Sequence, residues 1–277
     1  DRAGLRPGGR VKGLSDLYVQ QLKTSLATML QYRASLVIWL IGNILEPVIY
    51  LVVWSTVSRS AGGNVGGFTA GDFASYYIAL MLVNQVTYTW VMYEFDFRIR
   101  EGSFSYSLLR PVHPIHADIA DNISSKIVAL PVMFAAAAAL SAIFHPAFRF
   151  SGWAVALFVP ALVFAFLVRF LVEWTLALAA FWTTRVEAIN QIHFMAALFL
   201  SGQIAPIPLL PFPLRVAATI LPFRWTIGFP VELLLGRLSP AQAAVGLAAQ
   251  AGWLLAALAL LRIMWRVSVR KYSAVGA

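Results

Sequence analysis

The sequence predicts an all-α integral membrane protein with six transmembrane helices, and three observations predict it. The chain is 60% hydrophobic and only 12% charged, where a soluble domain is nearer half apolar and a quarter charged. Six stretches approach or exceed about 20 mostly apolar residues, the length that crosses bilayer hydrocarbon. Lys and Arg fall almost wholly outside those stretches, and unevenly between them. There is no cysteine, which excludes disulfides, thiolate chemistry and cysteine metal sites.

Taken in order, residues 13–33 place Leu14, Leu17, Tyr18, Leu22, Leu26 and Met29 on one helical face. That pattern predicts an interfacial helix lying along the membrane surface. The first span follows at 34–57. It is too long for a signal-peptide core and no small-residue cleavage site follows it, so it is expected to be retained. A glycine-rich outer loop, "SAGGNVGGFTAGD", leads to the second span at 73–95. Further spans are expected at 124–144, 153–182, 188–206 and 242–265. Between the last two, Ser201–Ser239 is apolar but carries Pro206, Pro208, Pro211, Pro213, Pro222 and Pro230. Proline removes a backbone donor and breaks helices. The helix-capable pieces "LRVAATIL" and "FPVELLLG" are too short to span, so 201–239 is expected to form a re-entrant or interfacial outer hairpin. Such backbone survives at membrane depth only under a cover of protein or water. No separate soluble domain and no internal repeat is evident, so 1–277 reads as a single transmembrane domain.

The formal charge is +9, from 21 Lys and Arg against 12 Asp and Glu. In a soluble protein this would suggest nucleic acid. In a membrane protein it is the signature of basic loops beside a cytoplasm and anionic lipid, so no nucleic-acid partner is expected. With the N-terminus inside, fifteen of the 21 cations lie on the inner side. Five (Arg59, Arg149, Arg215, Arg224 and Arg237) lie outside, and Arg169 lies within a span. Both termini are therefore expected to be cytoplasmic.

Ionisable residues within spans are costly, roughly 2.5–3.5 kcal/mol at mid-bilayer on insertion scales, and mark structure or function. Arg169 and Glu173 are four apart on one helix face and are expected to form an intramembrane ion pair. Glu46 adjoins Pro47, so it faces either a substrate path or a subunit seam. Asn84, Gln85, Tyr88 and Trp90 either line a path or hydrogen-bond to neighbouring helices. Glu94 and Asp96 are placed to bridge to the basic loop that follows. His113 and His116 lack a third ligand, and no metal site is expected. There is no G-x-x-x-x-G-K-[ST] phosphate cradle, no Ser/His/Asp set and no paired carboxylates, so no catalytic residue is expected.

The loop "FRIREGSFSYSLLRPVHPI", Phe97–Ile115, and the pair "SGQIAPIPLLP" and "LPFRWTIGFPVELLLGRLS" stand in an ordered series. A surface helix and two spans precede a basic loop, and four more spans follow, with the proline-rich hairpin before the last. In this the chain resembles the membrane subunit of type-2 ATP-binding-cassette exporters over nearly its whole length. The hairpin is similar to that of a bacterial subfamily that includes viologen and drug exporters. The resemblance implies a non-catalytic permease in the bacterial cytoplasmic (inner) membrane, forming the substrate path as a homodimer or with a paralogous permease. It implies a separate ATPase that binds ATP and Mg, with no cofactor in this chain. Residues 97–110 would be the coupling helix. Arg98, Arg100 and Glu101 would offer charge there, Phe97, Phe104, Tyr106 and Leu108 apolar anchors, and Gly102 a turn. Sparse charge and aromatic spans suit an amphipathic, drug-like or lipid-like cargo. A lipid-modifying membrane enzyme would need a His or carboxylate cluster at one face. A secondary transporter would more often show repeats and discontinuous helices. The sequence shows neither pattern.

Overall fold

The computed structural model describes residues 14–109, 112–183 and 186–271. The N-terminal basic residues, Arg110, Arg185 and the last six residues lie outside them. The helices are α1 (Leu14–Gln31), α2 (Arg33–Ser60), α3 (Ala70–Thr87), α4 (Val91–Arg100), α5 (Phe104–Leu108) and α6 (Ile115–Phe144), then α7 (Gly152–Ala177), α8 (Val186–Leu200), α9 (Phe212–Ile220), α10 (Phe223–Thr226), α11 (Gly228–Leu234) and α12 (Pro240–Lys271). Four stretches among the described residues are long and apolar enough to cross a membrane: Ala34–Ser60, Ile115–Phe144, Gly152–Phe181 and Pro240–Arg270. A shorter apolar helix covers Val186–Leu200.

The second expected span is not one helix. α3 stops at Thr87, Tyr88–Trp90 leave the helical path, and α4 resumes at Val91. No proline causes the break. Thr87 precedes it and Thr89 lies within it, and hydroxyl side chains of this kind compete with the helical ladder for backbone and neighbouring partners. The Thr87 hydroxyl donates to the Asn84 carbonyl at 3.4 Å. The Thr89 hydroxyl donates to the Glu173 carboxylate. The Tyr88 carbonyl accepts from Lys126 Nζ at 2.9 Å. Lys126 of α6 thus satisfies one carbonyl freed at the break, and Glu173 of α7 holds the threonine hydroxyl beside it.

α3 is the centre of the molecule. It packs against α2, α6, α7 and α11, and Phe73, Tyr76, Tyr77, Ile78, Leu80 and Met81 are all buried there. Ala129 and Ala137 bring α6 close to it. A second core lies beyond the break, where Phe95 and Phe104 meet Phe170, Trp174 and Leu261.

The remaining boundaries also refine the expectations. The third span begins at Ile115, well before 124. The segment 97–110 is two helices rather than one. α4 ends at Arg100, Gly102 turns the chain at φ 70°, a left-handed conformation that favours glycine, and α5 begins at Phe104. The expected interfacial helix is α1, and it lies against α6. Tyr18 pairs with His116 Nδ1 at 3.0 Å, Gln21 donates to Asp121 at 3.0 Å, and Ser25 donates to the same carboxylate.

The proline-rich stretch packs onto the bundle as short helices. Tyr76 donates to Gly202 O at 3.0 Å, and Tyr77 and Trp54 both donate to Ile204 O, at 2.8 and 2.7 Å. Gly202 has φ 95°, and a Cβ there would lie 2.5 Å from the Tyr76 hydroxyl. Gln250 on α12 donates to Ala161 O and Trp225 O, at 3.0 and 2.8 Å. At the same end Arg237 pairs with Asp72 at 2.9 Å, and Ala147 N donates to Gly71 O at 3.0 Å. The α2–α3, α6–α7 and α11–α12 connections thus share one end of the bundle. The α4–α5 corner, the start of α6 and the C-terminal part of α12 share the other.

Candidate functional site

The corner formed by α4 and α5 is built with an inner and an outer face. The Phe95 and Phe104 rings lie 4.7 Å apart, tilted by 52°, and Phe104 is also edge-on to Phe181 at 5.6 Å and Trp265 at 6.5 Å. Phe104 is fully buried, so it locks α5 to the ends of α7 and α12 and is not an anchor for a soluble partner. Leu108 is half-buried against the same core. Arg98 turns inward too. Its guanidinium meets Asp118 at 2.7 Å, and the second Asp118 oxygen accepts from Trp174 Nε1 at 2.8 Å. The corner is thereby tied to α6 and α7.

The outer face carries Phe97, Tyr106 and Leu109, which are 53%, 73% and 82% exposed. Arg100 lies among them, paired with Asp96 one turn earlier at 2.7 Å, and Glu101 is exposed at the turn. Of the residues the sequence proposes for coupling, Phe97, Arg100, Glu101 and Tyr106 face outward. Arg98, Phe104 and Leu108 hold the corner in place from within.

His113 sits at the end of this corner, with its ring 4.3 Å from Trp265 and 5.6 Å from Trp174. Burial, and then the neighbouring His116, hold its imidazole below the ordinary range. His116 contacts Tyr18 instead. Among the described residues no group of three His, Cys, Asp or Glu is placed to hold a metal.

The helix break gathers a second polar set. Arg169 meets Glu173 at 2.9 Å and donates to Asn84 at 2.8 Å and Thr87 at 3.3 Å. His193 on α8 lies 3.7 Å from Glu173. Arg169 also lies over the Tyr88 ring at 5.3 Å, and Lys126 over Phe166 at 4.8 Å. Asn84 is therefore taken up in bridging α3 to α7, and Gln85 accepts from Asn43 of α2 at 3.2 Å. Neither borders the main cavity. Glu46 is half-buried on α2, makes no ion pair or side-chain hydrogen bond with a described residue, and lies outside that cavity as well. Tyr88 does line it.

That cavity, of about 410 Å³, lies between α1, α2, α4 and α6. Trp39, Tyr88 and Trp90 form its aromatic wall, with ring centroids 6.0 and 6.2 Å apart in sequence. Glu94, Asp118 and Asp121 border it, with Arg98.

Asp118, Lys126 and His193 are site residues that the sequence reading did not single out. A signal for the first two was present. Asp118, Asp121, Asn122, Ser125 and Lys126 recur at three- and four-residue spacing, a polar stripe along one end of an apolar helix that needs protein partners. His193 carries no such pattern.

Residues 44–276 match the model of a family described as ABC-2 family transporter protein. Comparison with curated proteins finds no match.

Proposed function

Because the chain belongs to the ABC-2 family and is a membrane permease subunit of an ATP-binding-cassette transporter, we propose that the α4–α5 corner is where a separate ATPase docks and drives it. The observation that carries this reading is the two-faced construction of the corner. Outside, exposed Phe97, Tyr106 and Leu109 with Arg100 and Glu101 have the aromatic and arginine character of an interface core. Inside, Phe104 and the Arg98–Asp118–Trp174 chain fasten the same element to three helices. A displacement imposed on the outer face is transmitted to α6 and α7.

The rest of the reading follows the resemblance. The chain crosses the bacterial inner membrane six times, with α3–α4 as a broken second crossing and α8 as the fifth, and with both termini cytoplasmic. The charge bias supports that orientation. α1 lies at the cytoplasmic surface and the proline-rich hairpin enters from outside. The permease dimerises, with itself or a paralogue, and exports an amphipathic, drug-like or lipid-like cargo, as the likeness to viologen and drug exporters suggests. ATP and Mg belong to the partner.

Co-purification tests it. The native chain brings a separate ATPase through affinity purification. Replacing Phe97, Tyr106 and Leu109 together with Ala releases that ATPase while membrane insertion and yield hold. Retention of the ATPase by the triple variant contradicts the docking site.

A further inference from the structure

We propose that the cavity between α1, α2, α4 and α6 binds an organic ammonium carried on an apolar body, entering from the cytoplasmic leaflet. The proposal rests on the orientation given above for its point of entry, but not for its chemistry. The volume, about 410 Å³, is in the range that encloses a small organic ligand. The wall of Trp39, Tyr88 and Trp90 supplies apolar area and π-faces. One side of Tyr88 already carries Arg169, which leaves the two tryptophans as the principal free faces. Trp90 is half exposed and stacks on Tyr93 at 4.4 Å. A cation over such a ring is attracted by its quadrupole, most strongly by Trp.

The charges settle the sign of the ligand. Asp118 is neutralised by Arg98 at 2.7 Å and by the Trp174 N–H. Among the described residues, Asp121 accepts only from the neutral side chains of Gln21 and Ser25. Glu94 has no ion pair or side-chain hydrogen bond with a described residue. Among the described lining residues, three carboxylates therefore share one cation, Arg98, an excess of two negative charges. An anion would meet both, and a neutral apolar ligand would leave both uncompensated. An ammonium with its apolar body along the tryptophans satisfies the carboxylates and the wall together. The site lies within one protomer and directly behind the α4–α5 corner, since Glu94 and Arg98 are one turn apart on α4.

The test uses the full chain in nanodiscs of an uncharged glycolipid, with no ATPase present. The probes are dodecyltrimethylammonium and its isostere in which carbon replaces nitrogen. The native chain should bind the ammonium about tenfold more tightly than the isostere. Glu94→Gln should weaken the ammonium by roughly five- to tenfold and leave the isostere unchanged. Trp90→Leu, which keeps an apolar side chain, should weaken the ammonium several-fold. Adding phosphatidylcholine separates the two sources of this group. Competition identifies a lipid headgroup as the occupant and its absence a free amphiphile, and either result supports the site. Equal binding of the two probes overturns the proposal. So does unchanged ammonium binding in both variants. Glu94→Gln should still co-purify with the ATPase, so loss of the ligand site and loss of the docking site are told apart.

Discussion

α2 and α3 are neighbours built on opposite terms. α2 is plainly a membrane span, and its outward residues Ile38, Ile41, Leu45, Ile49 and Val53 are largely exposed. α3 carries Asp72, Ser75, Asn84 and Gln85 and falls short of a span by composition, yet none of its residues is exposed. Hydropathy reports what a helix faces rather than how deep it lies. α2 faces outward and needs apolar side chains. α3 faces protein on all sides and can keep hydroxyls, amides and a break, provided each polar group finds a partner. The polar set at its end is where the two terms differ most in energy.

The largest effect is expected there. Glu173→Gln leaves Arg169 without its counter-charge and Lys126 beside it, and should cost about 3–5 kcal/mol, the scale of breaking one buried pair. Arg169→Met should cost less, because Glu173 keeps Thr89 and His193. Ile38→Ala, on the open face of α2, should stay within about 0.5 kcal/mol. Thermal unfolding of the purified protein in detergent gives the order. Equal losses at Glu173 and Ile38 would erase the contrast between the two helices.

The hydroxyls of α3 come next. Tyr76→Phe removes the donor to Gly202 O, and leaving a buried acceptor unpaired costs about 1–3 kcal/mol. Tyr77→Phe should cost less, because Trp54 also donates to Ile204 O. The same melts read both variants, and an equal or reversed order would show that the tyrosines act through packing alone.

The smallest effect lies outside the spans. Burial depresses the His113 pKa below its ordinary value of 6.5, so the folded chain favours the neutral ring. Stability that is full above 6.5 should fall as pH drops through that value toward the lower folded one. His113→Phe should flatten this part of the profile between pH 7.5 and 5.5. An unchanged slope would place the titration elsewhere.

Much of this was legible in the sequence. Long apolar runs give α2, α6, α7 and α12, proline spacing gives the broken hairpin, and the four-residue spacing of Arg169 and Glu173 matches their contact at 2.9 Å. What was not legible is what needs a partner from elsewhere in the chain. The break at Tyr88–Trp90 has no proline and depends on Lys126 from α6 and Glu173 from α7. Arg98 and Phe104 look like surface anchors in a basic loop. They turn inward because Asp118, Trp174, Phe181 and Trp265 meet them. The cavity depends on four helices and has no signature in any one of them.

The central claim is that the outer face of the α4–α5 corner meets the ATPase. The chain has no cysteine, so single cysteines report position without background. The most direct measurement is cross-linking from Tyr106→Cys and, at the opposite end of the bundle, from Asn64→Cys, each in the native complex. The account predicts a permease–ATPase adduct from position 106 and none from position 64. An adduct from position 64, or none from 106 while the ATPase still co-purifies, would contradict it.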